Sequence, residues 1–215
     1  MYWFLVCSLV GGYLLGSFNA SIIFGKIFKG IDIRSQGSKN AGMTNSLRVF
    51  GKKAAVFVFL FDLLKSVVAV LVAGTVGKEL FAENHEMALY GQYLAGLGSV
   101  LGHNFPIYFM FRGGKGILAS WGVIMILDYR IALVLLTVFV LVVAATRYVS
   151  LASITSAMIY PLFVIAFNVG GPRPATTYYI ALSLVISVLA VYRHKANIAR
   201  LRAGTESKLG EKKEK

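Results

Sequence analysis

The chain has 215 residues, 57% of them hydrophobic and only 14% charged, with a mean hydropathy of +0.72. A soluble domain carries roughly 25% charged residues, so this chain presents most of its surface to something other than water. The net charge of +13 does not require nucleic acid as a partner, because the basic residues flank apolar stretches, where membrane orientation and anionic headgroups account for them.

Seven stretches read as membrane segments: Met1–Gly25, Ala54–Val76, Met87–Phe111, Ile117–Leu127, Ile131–Thr146, Leu151–Val169 and Thr176–Tyr192. A helix needs about 20 apolar residues to cross the hydrocarbon core. The first stretch lacks a basic region ahead of its apolar run and reads as a retained helix rather than a signal peptide. It holds the single cysteine, Cys7, which excludes an internal disulfide and reads as a small packing residue. The second carries Asp62 and Lys65 at i and i+3. Ionisable groups in a span are costly and are usually paired; an internal ion pair fixing helix packing is preferred here, with a proton or ion pathway as the alternative. The fourth and fifth stretches are short, and only Asp128, Tyr129 and Arg130 separate them.

Loop charge predicts the orientation. The connections Gly77–Glu86, Asp128–Arg130 and Gly170–Ala175 contain only Lys78, Arg130 and Arg173 as lysines or arginines. Apart from Lys65, the other lysines and arginines lie in the opposite loops and the tail, which the positive-inside rule places in the cytoplasm. The N-terminus is then outside and the C-terminus inside. Residues 1–202 read as a single transmembrane domain and 203–215 as a polar cytoplasmic tail, with Glu211–Lys215 expected to be disordered.

The chemistry gathers on the basic face. Asp32–Arg48 is a long glycine-, serine- and asparagine-rich loop. Its glycines permit close backbone approach. Ser38, Thr44, Asn40 and Asn45 can donate to phosphate oxygens, and Arg48 offers a planar fork. A solvated turn-rich loop has the same composition. Gly102–Gly116 brings His103 and Pro106 to a membrane boundary and ends in Gly113, Gly114, Lys115 and Gly116 ahead of a helix, a favourable oxyanion arrangement. Arg112 and Lys115 also serve as orientation signals, His103 could equally cap or pack, and the aromatics of Phe105–Phe111 read as an interfacial belt. In Arg147–Ser153, Ser150 and Ser153 read as helix caps. In Tyr192–Arg202, helical spacing would put His194 and Asn197 on one face.

Several catalytic patterns are missing. The acyltransferase pattern His-x4-Asp is absent, since Tyr90, Tyr108 and Ala199 stand five residues after His85, His103 and His194. There is no metal-ligand spacing, no Gly-x-Ser-x-Gly elbow and no Walker loop. The anion binders remain, with His194 as the plausible base. A small organic-phosphate transporter would share the cytoplasmic anion sites but should also carry polar groups on the outer half of its spans, and preferably an inverted repeat; the sequence shows neither. A basic lipid-binding scaffold would not need ordered motifs.

Four motifs in order resemble the acyl-phosphate:glycerol-3-phosphate acyltransferase (PlsY) family: Gly37-Ser38-x-Asn40-x-Gly42-x-Thr44-Asn45-x-x-Arg48; Gly102-His103-x-x-Pro106 with Phe111-x-Gly113-Gly114-Lys115-Gly116; Arg147-Tyr148-x-Ser150-Leu151-Ala152-Ser153; and the Arg193-His194-Lys195 exit segment. The resemblance implies an all-α, polytopic seven-transmembrane-helix bundle in a bacterial inner membrane, with its site at the cytoplasmic interface. It implies acyl transfer from acyl phosphate to the sn-1 hydroxyl of glycerol 3-phosphate, giving lysophosphatidic acid and phosphate without cofactor or metal, by a chain working as a monomer among membrane lipids. By position Ser38, the following loop and Arg48 would hold the acyl phosphate, while Lys115, Ser153, His194 and Asn197 would orient glycerol 3-phosphate. Gly37, Asn40, Gly42, Thr44, Asn45, His103, Gly113, Gly114 and Arg193 would complete the binding surface. A substrate phosphate would take the hydroxyl proton. Because Lys115 and Ser153 must then share a face, two crossings are required between them. The sequence departs from the family pattern at Lys39, where many members have glycine, and at Met43, where alanine is common.

Overall fold

The computed structural model describes residues 1–168 and 176–211. The connection expected to be the third outer one, with Arg173, and the end of the tail lie outside the described residues. Within them the chain is helical without strands. The helices are α1 (Tyr2–Gly16), α2 (Ala20–Lys29), α3 (Met43–Phe50), α4 (Lys52–Leu80), α5 (His85–Asn104), α6 (Ile117–Leu127), α7 (Tyr129–Thr146), α8 (Val149–Asn168), α9 (Thr176–Arg193) and α10 (Lys195–Arg202).

Five helical segments are long and apolar enough to cross a membrane: Tyr2–Lys29, Lys52–Leu80, Tyr129–Thr146, Val149–Asn168 and Thr176–Arg193. α5 has the length, at 20 residues, but carries Glu86, Gln92, Ser99, His103 and Asn104 and falls short in apolarity. α6 has 11 residues, about 16 Å of helix, against a core of about 30 Å.

The first stretch is not one helix. Ser17, Phe18 and Asn19 interrupt it, because Asn19 adopts an extended conformation and its side chain accepts from the Ile22 amide at 3.2 Å, capping α2. The third stretch stops being helical at Asn104, and Ile107–Phe109 forms a single 3-10 turn. Asp128 breaks the helical run between α6 and α7. Its carboxylate accepts from the Arg130 amide at 3.1 Å and so caps α7.

The chain forms two compact units, Met1–Leu127 and Asp128–Lys215. In the first, α1 and α5 approach until backbones touch. A Cβ on Gly12 or Gly16 would strike the Ala95 or Ser99 backbone, and one on Gly98 or Gly102 would strike α1 at Leu9 or Tyr13. Lipid supplies no hydrophobic drive for helix association, so small residues that allow close packing, and buried hydrogen bonds, take over that role. The 2.7 Å pair of Ser66 on α4 and Ser99 on α5 is such a bond. In the second unit α7 packs on α8 and α8 on α9. Ser156 of α8 donates to the Leu135 carbonyl of α7 at 3.3 Å, and the Tyr160 and Tyr179 rings meet edge-on at 6.4 Å.

Candidate active site

In the first unit the loop between α2 and α3 is organised from inside by Asn45, which is 1% exposed. Its amide nitrogen donates to the carbonyls of Gln36 and Asn40 at 3.0 Å and lies 3.3 Å from that of Ile33, while its oxygen accepts from the Ser38 amide at 2.9 Å. In this structure the donors of Asn45 are directed at the loop backbone. The surface so shaped leaves Gly37, Ser38 and Arg48 exposed and Asn40, Gly42 and Thr44 partly exposed. Thr44 and Arg48 follow one another by a turn on α3. Gly37 and Lys39 both have left-handed backbone, φ +57° and +59°, so the departure from glycine at 39 keeps the conformation that glycine would adopt freely.

The second motif is fastened to the first. Arg34 grips Asp32 and, with its other guanidinium nitrogen, donates to the carbonyls of Phe109 at 2.8 Å and Arg112 at 2.9 Å. The guanidinium hydrogen bond holds the Asp32 carboxyl below the usual range, against the smaller opposing effect of burial. Asn19, at the α1–α2 break, sends its amide toward the Ala41 carbonyl at 3.4 Å. The glycine turn folds back on α5, where the Gly113 amide donates to the Asn104 carbonyl at 3.2 Å and that of Gly114 to the His103 carbonyl at 3.0 Å. These amides satisfy the open C-terminal carbonyls of α5. They brace the turn against α5, and Lys115, partly exposed, stands just ahead of α6. Gly114 sits where nothing larger fits, because a Cβ there would meet the His103 ring on one side and the Ala41 carbonyl oxygen at 2.5 Å on the other. His103 is 4% exposed and stands behind the turn.

In the second unit His194 is the joint between α9 and α10. It is 2% exposed, with Nδ1 2.7 Å from the Ala190 carbonyl. A carbonyl only accepts, so Nδ1 carries a proton. Asn197 is buried and donates to Glu206 Oε1 at 2.7 Å. The same oxygen accepts from Ser150 at 2.8 Å, and Arg200 Nε donates to Oε2 at 2.6 Å. Burial alone would raise the Glu206 pKa, but the hydrogen bonds from Ser150, Asn197 and Arg200 outweigh it and hold the carboxyl below its ordinary value. The serines expected as caps have other partners: Ser150 serves Glu206, and Ser153 donates back to the Val149 carbonyl at 2.8 Å. Arg193, at the end of α9, is partly exposed.

The sequence residues thus assemble in two groups, one per unit: Gly37–Arg48 with His103 and Gly113–Lys115, and Ser153, Arg193, His194 and Asn197. Sequence reasoning missed Asn19, Arg34 and Glu206. The Asp-x-Arg spacing of Asp32 and Arg34 was a readable local pair, whereas nothing local marks Glu206. No set of three metal-ligating side chains occurs among the described residues. The exposed chemistry consists of cations, hydroxyls and amides, suited to binding and orienting anions.

A family model described as glycerol-3-phosphate acyltransferase matches residues 6–204. A glycerol-3-phosphate acyltransferase of Thermoanaerobacter sp. (strain X514) is 44% identical over 97% of this chain and 98% of its own length. One from Fusobacterium nucleatum is 40% identical over 94% and 96%. Among solved structures, the crystal structure of PlsY (YgiH), an integral membrane glycerol 3-phosphate acyltransferase, superposes in its glycerol 3-phosphate form with a TM-score of 0.83 at 35% identity, covering 96% of each chain. Its lysophosphatidic acid form gives 0.80 at 34% identity, covering 96% of this chain and 95% of that one. Five helical segments long and apolar enough to cross a membrane, the paired glycine motifs and this full-length similarity lead to one conclusion: the chain is an integral membrane protein of the glycerol-3-phosphate acyltransferase (PlsY) family, an acyltransferase of phospholipid biosynthesis.

Proposed function

We propose that the chain transfers an acyl group from acyl phosphate to the sn-1 hydroxyl of glycerol 3-phosphate at the cytoplasmic face of a bacterial inner membrane. It would cross that membrane seven times from an outer N-terminus, with α5 and α6 as the two less apolar crossings, and would work as a monomer. The observation that carries this reading is the seating of Gly114 between His103 and Ala41, which joins the serine–asparagine loop and the lysine turn into one anion-binding surface. Ser38 and Arg48 are exposed and Lys115 partly exposed on it, with no carboxylate pair among them. Acyl phosphate is a mixed anhydride with phosphate as leaving group, so no acyl-enzyme is required. The hydroxyl oxygen attacks the acyl carbon, the carbon–oxygen bond to phosphate breaks, inorganic phosphate departs, and the hydroxyl proton passes to a substrate phosphate oxygen. The protein brings two anions and an alcohol together. In the first unit Ser38, Asn40, Thr44 and Arg48 would hold the acyl phosphate and Lys115 would bind phosphate oxygens; in the second, Ser153, Arg193, His194 and Asn197 would orient glycerol 3-phosphate, as the family resemblance implies. Positioning supplies several kcal/mol, up to about 7–11, and donors at the developing oxyanion about 3–4 more.

The test is release of phosphate from acyl phosphate by purified protein in lipid. Release should occur only with glycerol 3-phosphate present. No turnover with any chain length would sink the reading, and equal use of acyl-CoA would refute the acyl-phosphate donor.

A further inference from the structure

Asp62 and Lys65 lie one turn apart on α4, both buried, with Nζ 2.8 Å from Oδ1. A pair that served only to pack helices would be complete with these two groups, and a buried pair of that kind is often replaceable by apolar residues at no loss of stability. This one has further partners. Lys65 Nζ donates to the Phe18 carbonyl at 2.8 Å and lies 3.1 Å from His103 Nδ1; Asp62 Oδ1 is 3.6 Å from the same Nδ1. An ammonium is a donor only. With Lys65 charged against the Asp62 carboxylate, Nδ1 must accept, and the ring proton resides on Nε2. That edge of the ring is the one a Cβ on Gly114 would strike, with the Ala41 carbonyl on the far side. The Phe18 contact leads to the same place, since Phe18 adjoins Asn19, whose amide points to Ala41.

We infer that Asp62, Lys65 and His103 form a buried positioning relay, in which Lys65 fixes His103 as the neutral Nε2–H tautomer and His103 seats the lysine-bearing turn against the Asn40–Gly42 loop. The consequence for turnover rests on the acyl-transfer reading above; the tautomer does not. All three are buried. They act through the position of Gly114 and hence of Lys115.

The experiment is ¹⁵N NMR of histidine-labelled protein in lipid nanodiscs. The chain has 3 histidines, so His85→Gln and His194→Asn assign the His103 signals. A pyridine-type Nδ1 and a pyrrole-type Nε2 are expected. An imidazolium, or a proton on Nδ1, overturns the proposal from the unmodified protein alone. Lys65→Met should lose the single tautomer and reduce kcat/KM for glycerol 3-phosphate on the order of 10–100-fold, the scale of a small misplacement at a reacting centre. An unchanged spectrum with an unchanged rate in that variant overturns the relay. His103→Gln, which keeps an N–H at the Nε2 place, should recover most of the activity that His103→Leu loses; equal loss in both also refutes it. If the unmodified protein shows the expected tautomer but no glycerol-3-phosphate-dependent turnover, the acyl-transfer reading fails and the tautomer assignment stands.

Discussion

Asn45 spends its whole amide on the loop that contains it, and that use is invisible in residue type. An asparagine in a glycine-rich loop has the right donors for phosphate; whether they point outward depends on backbone turns that no local pattern specifies. Asn45→Asp keeps the shape but replaces a donor among carbonyls with an acceptor, leaving a buried charge beside them. The expected cost is on the order of 2–3 kcal/mol, read as a lower thermal midpoint together with lost activity. Arg48 is exposed and Lys115 partly exposed. Arg48→Ala and Lys115→Ala should each reduce turnover by about 100-fold or more while the thermal midpoint stays near that of the unmodified protein. Near-normal rates in either would break the assignment. Lys39 belongs with these residues. Its φ of +59° strains a side-chain-bearing residue by about 1–2 kcal/mol, so Lys39→Gly should raise the thermal midpoint, and a lowered midpoint would show that the lysine side chain makes up the difference.

The apolar runs made the helices legible, but the interruptions were not. Ser17-Phe18-Asn19 passes as part of a hydrophobic stretch because polar residues are tolerated where helices pack; only the cap that Asn19 places on α2 shows that the chain restarts there. The α1–α5 interface was also hidden. Its glycines read as ordinary membrane composition, and which of them face a neighbour is decided by rotation of the helix. Gly11 and Gly16 make this testable. A Cβ on Gly11 meets nothing within 4 Å, whereas at Gly16 it collides with the Ser99 backbone. Gly11→Ala should stabilise by roughly 0.5–1 kcal/mol, the ordinary helix gain. Gly16→Ala should force α1 from α5 and reduce the yield of folded protein. Two variants with the same chemistry and opposite sign would establish that contact; the same outcome in both would refute it.

Across the whole chain the motif order was sufficient to identify the family, yet the residue that ties the C-terminal motif together lay in a segment read as tail. Glu206 reaches Ser150 on α8 and Asn197 and Arg200 on α10, so the chain beyond α10 returns to the fold. A single sequence cannot show this, because the partners are separated by whole helices and one glutamate in a charged tail is the commonest of surface residues. Its pKa has a consequence for stability. Held below its ordinary value near 4.5, the carboxyl binds fewer protons in the folded chain than in the unfolded one. Stability from this group is therefore complete above about pH 4.5 and is lost as the pH falls through the folded pKa. Asp32, held low by Arg34 from an ordinary value of 3.8, adds a loss of the same sign slightly further into acid. Glu206→Gln isolates the first contribution. Glutamine still offers an oxygen to Ser150 and Asn197 but turns an N–H toward the Arg200 donor and has no proton to take up. The variant should have a lower thermal midpoint than the unmodified protein at neutral pH, and the gap should narrow as both are titrated below pH 4.5. A gap that stays constant through that range would mean that Glu206 contributes shape and hydrogen bonds but not its charge.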